Sequence, residues 1–161
     1  MIISNVRYLD EEMPKLEVVP NGDWIDVRAS SVKIDGEKFD WLINDVGEKY
    51  IPYFPGQFLL IGLGFAMQCP GKHEAHISPR SSTFKNFGLI QTNGVGVVDW
   101  SYRGNNDQWF VPMYALRCGS ISRYDRIAQF RFVTKMCNLT INEKIQFKEV
   151  DRGGHGSTGV K

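Results

Sequence analysis

Residues 92–104 read TNGVGVVDWSYRG, and the fold turns on how that stretch is arranged. Asn93-Gly94 favours a tight type I′ turn, because both central residues of such a turn need positive φ, which Asn and Gly tolerate. GLIQ (88–91) and VGVVD (95–99) flank it, both apolar-rich and of strand length. The stretch therefore predicts a β-hairpin with Asp99 set among Val97, Val98 and Trp100. A carboxylate in apolar company is costly without a partner or a task. Tyr102, three residues on, offers a flat face against which a sugar could pack. A plain hairpin ending in a solvated aspartate fits the same residues, and the stretch alone does not separate the two.

Working outward, strand-like runs follow one another. They are WIDVRASSVKI (24–34), KYIPYFPGQFLLIGLGFAM (49–67), EAHISP (74–79), FGLIQT (87–92), VGVVDWSY (95–102), QWFVPMYAL (108–116), RIAQFRFVTKM (126–136) and KIQFKEV (144–150). DGEK at 35–38 reads as a polar turn. One helix is predicted, SSTFKNFG (81–88), with a hydroxyl N-cap and a closing glycine. Many short strands with so little helix predict an all-β barrel or jelly-roll-like sandwich. The final run, DRGGHGSTGVK (151–161), is glycine-rich and has little to bury, which predicts a flexible arm after a domain over 1–150.

The whole-chain totals narrow the class. A length of 161 residues suits one domain with a real core. The formal net charge of +1 gives no basis for binding nucleic acid or an anionic membrane. The start, MIISNVRYLDEEMPK, lacks the basic-then-apolar order of a secretory signal, and the apolar run at 58–67 is too short to span a bilayer. Cys69, Cys118 and Cys137 are odd in number and widely spaced, as expected of reduced thiols in a cytoplasmic protein.

Three further stretches carry candidate chemistry. In SPRSSTFKNFG (78–88), Arg80 offers a planar fork for phosphate oxygens, and Ser81 and Ser82 offer hydroxyls beside a helix start. A capped surface helix explains the same residues. RYDRIAQFRF (123–132) alternates like an ordinary strand, with Gln129 among its polar positions. HEAH (73–76) has its histidines three apart, where a helical zinc motif needs four, so no zinc site is read there.

Taken in order, DWIDVRA (23–29), PRSS (79–82), NGVGVVDWSYRG (93–104), DRIAQF (125–130) and RGGHGSTG (152–159) resemble the five motifs of trimeric dUTPases, deoxyuridine 5′-triphosphate nucleotidohydrolases. The insertion-like NNDQWFVPMYALR (105–117) is similar to a bacterial and phage branch of that family. The resemblance implies a distorted jelly-roll-like barrel, hydrolysis of dUTP to dUMP and pyrophosphate, Mg²⁺, and a cytoplasmic homotrimer with shared active sites. By the same resemblance, Asp99 activates the attacking water. Asn93 and the backbone at Val97 and Val98 hold uracil, and Tyr102 stacks under deoxyribose. Arg80, Ser81, Ser82 and Gln129 contact phosphates, and Asp26 lies near the magnesium, reached through water. Arg152, His155, Gly156, Ser157 and Thr158 belong to the closing arm. Departures from the pattern are Trp24-Ile25 in the first motif, a shorter arm, and His155 in place of phenylalanine. Two other readings share these features: a dCTP deaminase and a dUTP-gated regulatory protein. The deaminase needs a glutamate shortly after the turn, and residues 103–114 contain none.

Overall fold

The computed structural model describes residues 3–149. In chain order these form β1 (Asn5–Tyr8), β2 (Ile25–Arg28), β3 (Ser31–Ile34), β4 (Glu37–Phe39), β5 (Leu42–Ile43), β6 (Lys49–Tyr53) and β7 (Phe58–Gln68). There follow β8 (His73–Pro79), α1 (Thr83–Phe87), β9 (Leu89–Gln91), β10 (Gly96–Val98), β11 (Gln108–Ala115), β12 (Gly119–Ser122) and β13 (Arg126–Thr134). All pairings are antiparallel. One sheet runs β4-β3-β7-β11-β9 with β1 also on β7, a second runs β10-β8-β13-β2, and a third runs β12-β6-β5. The sheets stay open and share one core, which is a jelly-roll-like arrangement.

Alternation decides which residues face that core. In β11, Trp109, Val111, Met113 and Ala115 are buried, while the residues between them are at most half-buried. Phe65 of β7 and Trp109 meet Phe130 of the second sheet, with ring centroids 5.2 Å (Phe65–Trp109) and 5.1 Å (Trp109–Phe130) apart. The run 24–34 changes sheet in its middle. Ala29 N–H donates to Asp125 O, and the next residue, Ser30, donates to Gly62 O in β7.

Five expectations change. Thr92–Val95 do not close a hairpin, because β9 and β10 belong to different sheets. Gly94 alone there has positive φ (63°), so the turn is not type I′, which needs it at Asn93 as well. DGEK turns at Asp35 (φ 50°) and Gly36 (φ 94°), and Glu37-Lys38 already belong to β4. VGVVDWSY ends as a strand at Val98, and Tyr102 N–H then bonds back to Asp99 O at 3.0 Å. KIQFKEV is not a strand over its described residues, 144–149, and Ile145 and Phe147 are exposed. The predicted helix forms as α1 with Gly88 left-handed behind it, but the Ser82 side chain makes no capping bond. Among the described residues no helix is long and apolar enough to cross a membrane. The predicted arm, 151–161, lies outside the described residues.

Candidate active site

The first group of candidate residues gathers where β10 ends and β11 begins. A shallow cavity of about 360 Å³ is lined by Val97, Val98, Asp99, Tyr102, Trp109 and Phe110, among others. Asp99 Oδ1 accepts hydrogen bonds from Ser101 Oγ (2.5 Å) and Ser101 N–H (2.8 Å). Oδ2 has no bonding partner among the described residues. The Ser101 hydroxyl, then the Ser101 amide, hold the Asp99 carboxyl below the usual carboxylate range, and the Lys135 charge adds to this. Lys135 is anchored nearby, its ammonium 4.2 Å from the Trp100 ring centroid. Tyr102 OH donates to Gln108 O at 3.2 Å, which fixes the ring at the cavity edge. Burial and the Asp107 charge push the Tyr102 phenol up.

The second group gathers at the other end of β8. Arg80 Nε donates to Asp26 Oδ1 at 2.7 Å, and Arg126 Nη1 donates to Asp26 Oδ2 at 3.3 Å. Gln129 sits opposite Asp26 on one side and Ser78 on the other, and its Nε2 donates to Pro79 O at 3.2 Å. The loop bearing Arg80 is pinned by Thr83, a buried polar side chain. Its Oγ1 accepts from Arg80 N–H (2.9 Å) and donates to Ile127 O (3.1 Å). Ser81 and Ser82 follow directly, with the Ser82 hydroxyl free of any capping bond.

Sequence reading assigned all of these residues to one site. Within a single chain the structure gathers Val97, Val98, Asp99 and Tyr102 at one place and Asp26, Arg80, Ser81, Ser82 and Gln129 at another. Val98 lies opposite Ala75 on β8, so Asp99 is level with Glu74. From there to Arg80 is about 20 Å at the strand's rise per residue. Arg126 was missed as a member of the arginine cluster; the signal was its place immediately before Ile127-Ala128-Gln129. Gln91, bonded to Asn93 and Gly94, was also missed. The arm residues Arg152, His155, Gly156, Ser157 and Thr158 lie outside the described residues.

The donor set bears on the metal. Among the described residues no three His, Cys, Asp or Glu side chains gather into a cage. Both Asp26 oxygens already accept from arginines. The described residues thus offer no protein cage for a divalent ion, and a magnesium here would have to draw most of its ligands from a bound phosphate or water.

An aromatic-walled cavity with one ionised acid and, farther along β8, a separate arginine cluster stand on one open β scaffold, a set of groups suited to an aromatic ligand that carries phosphates. The sequence model of the dUTPase family matches residues 48–159, and the chain belongs to that family. It is 46% identical over 156 residues to the SPbeta prophage-derived deoxyuridine 5′-triphosphate nucleotidohydrolase YosS of Bacillus subtilis, covering 97% of each chain. It is 35% identical over 109 residues to the deoxyuridine 5′-triphosphate nucleotidohydrolase of Neorickettsia sennetsu, covering 66% of this chain and 72% of that one. Among solved structures, the fold is similar to that of a Staphylococcus bacteriophage 80alpha dUTPase mutant bound to dUpNHpp. There the TM-score is 0.71 at 16% identity, over 98% of this chain and 99% of that one. A dUTPase mutant from phage phi11 of S. aureus, described with a structural Mg(II) ion, gives 0.67 at 13% identity, over 91% and 99%.

Proposed function

We propose that the chain hydrolyses dUTP to dUMP and pyrophosphate by attack of water on the α-phosphorus. The names of its relatives support that reaction and do not favour a deaminase or a purely regulatory protein. The observation that carries the mechanism is Asp99. Ser101 engages one carboxylate oxygen and leaves the other without a partner among the described residues, on a residue that lines a cavity large enough for part of a nucleotide. In this reading Oδ2 orients the water and takes its proton, an effect typically worth ~10²–10⁴ in rate.

Val97, Val98 and Asn93 hold the uracil, Tyr102 stacks against deoxyribose, and Arg80, Ser81, Ser82 and Gln129 grip the phosphates. Asp26 orients Arg80 through Nε, leaving its two Nη groups to face phosphate oxygens. Magnesium, carried by the triphosphate, supplies charge neutralisation when bound. Residues 151–161 act as an arm beyond the 1–150 domain, with Arg152, His155, Gly156, Ser157 and Thr158 closing over the substrate. The active sites are shared between copies of a homotrimer, because Asp99 and Arg80 of one chain are too far apart to serve one nucleotide. The working compartment is the cytoplasm.

Pyrophosphate release should occur with dUTP, depend on magnesium, and be far slower with dCTP, dTTP and UTP. Equal rates on dUTP and UTP would sink the sugar assignment, and release from none of them would sink the reading altogether. Removing 151–161 should abolish turnover while leaving the far-ultraviolet circular dichroism unchanged.

A further inference from the structure

The mouth at 92–98 poses a mechanical problem. Two strands joined by a tight turn normally pair with each other, and that pairing holds the turn. Here β9 is the last strand of one sheet and β10 the last strand of another. The two strands do not pair with each other, and each has an outer edge with no partner strand among the described residues, which leaves backbone N–H and C=O groups for a base to read. Thr92 N–H still bonds Pro112 O of β11 at 3.2 Å, but no ladder ties β9 to β10 across the turn, so something else must set the width of the mouth.

Gln91 is placed to do it. Its Nε2 lies 3.1 Å from Ile77 O on β8, 2.9 Å from Asn93 Oδ1 and 3.3 Å from Gly94 O. Ile77 is the residue opposite Gly96 at the start of β10. One amide therefore ties the end of β9, the turn and the strand that carries β10. The orientation of the amide is fixed, because half a rotation would set its oxygen against the carbonyls of Ile77 and Gly94. Its Oε1 is buried without a partner, a cost accepted where the donors are needed. Gly96 makes the close approach possible: a Cβ there would stand 3.2 Å from Ile77 Cβ and 3.4 Å from Gln91 Nε2.

We infer that Gln91 is a positioning residue for base recognition, a side-chain strut that replaces the missing ladder and sets the spacing of the backbone groups that read the pyrimidine edge. This rests on the assignment of the mouth to uracil. The strut touches neither the phosphates nor Asp99, so it acts on binding and on base choice and leaves the chemical step alone.

The test uses Gln91→Met, which keeps length without donors, Gln91→Glu, which keeps shape without donors, and Asn93→Ala, which removes one acceptor. The first readout needs no substrate: hydrogen exchange at the amides of 92–96, with the β7 amides as an internal control for folding. Exchange there should quicken about tenfold in both Gln91 variants, which lose all three contacts of the amide, and less in Asn93→Ala, which loses one. The second readout is kinetic. In the two Gln91 variants the KM for dUTP should rise about tenfold with kcat within about twofold, and preference for dUTP over dCTP should shrink by a similar factor. Unchanged exchange at 92–96, or a loss confined to kcat, would overturn the inference. Failure of the wild-type protein to act on dUTP would remove the uracil assignment, while the exchange result would still decide whether Gln91 holds the turn.

Discussion

Ser101 spends both its hydroxyl and its amide on one oxygen of Asp99, and this governs how the acid behaves with pH. An exposed aspartate loses little hydration, so its hydrogen bonds decide the shift, which is downward. Asp99 thus stays ionised as the pH falls through the range where an ordinary aspartate takes up its proton. Removing the Ser101 hydroxyl withdraws the largest cause of that shift. In Ser101→Ala the acid limb of the kcat/KM profile should move to higher pH, with the plateau at neutral pH lowered only modestly. An acid limb that stays put would mean Asp99 is not the group being titrated. Asp99→Asn should lower turnover by ~10²–10⁴ while equilibrium binding of a non-hydrolysable dUTP mimic persists, because the side chain keeps its shape. Near-normal turnover would remove Asp99 from the mechanism.

At the scale of elements, β8 organises the site, since both residue groups hang from its ends. Thr83 shows how tightly one end is set. Its buried hydroxyl joins the Arg80 backbone to Ile127 of β13, so the arginine loop cannot shift without breaking a buried bond. Thr83→Val keeps the volume and strands both partners, which should cost about 1–3 kcal/mol. Urea unfolding should show the loss, and KM for dUTP should rise as Arg80 loosens.

The same elements show what sequence made legible. β7, β11 and β13 were visible because long apolar or alternating runs have one way to bury themselves. Gly88 was visible because a helix needs a left-handed stop. β5 and β12 are two and four residues long, and their pairing through β6 is invisible to a local pattern. The turn at 92–95 misled for a related reason: Asn-Gly encodes a bend, and only partners elsewhere decide whether the arms of that bend meet. Arg80 was found from the chemistry of its own stretch and Asp26 through motif resemblance, whereas their 2.7 Å bond, linking residues far apart in sequence, was not readable from either stretch.

For the whole molecule, two observations point beyond one chain. Leu139, Ile141, Ile145 and Phe147 lie exposed on a segment that pairs with nothing among the described residues. Asp99 and Arg80 stand about 20 Å apart along β8, farther than one α-phosphate can bridge to its own nucleoside. If each site takes its acid from one copy and its arginine from another, two dead variants should rescue each other. Asp99→Asn supplies intact Arg80, and Arg80→Ala supplies intact Asp99. Random mixing in equal amounts then makes one site in every four fully wild-type, so unfolding and refolding the mixture should restore about a quarter of normal pyrophosphate release. The variants mixed without refolding should stay inactive until their subunits exchange. A refolded mixture as dead as its parents would place both residues in the same chain's site and rule out sharing between copies.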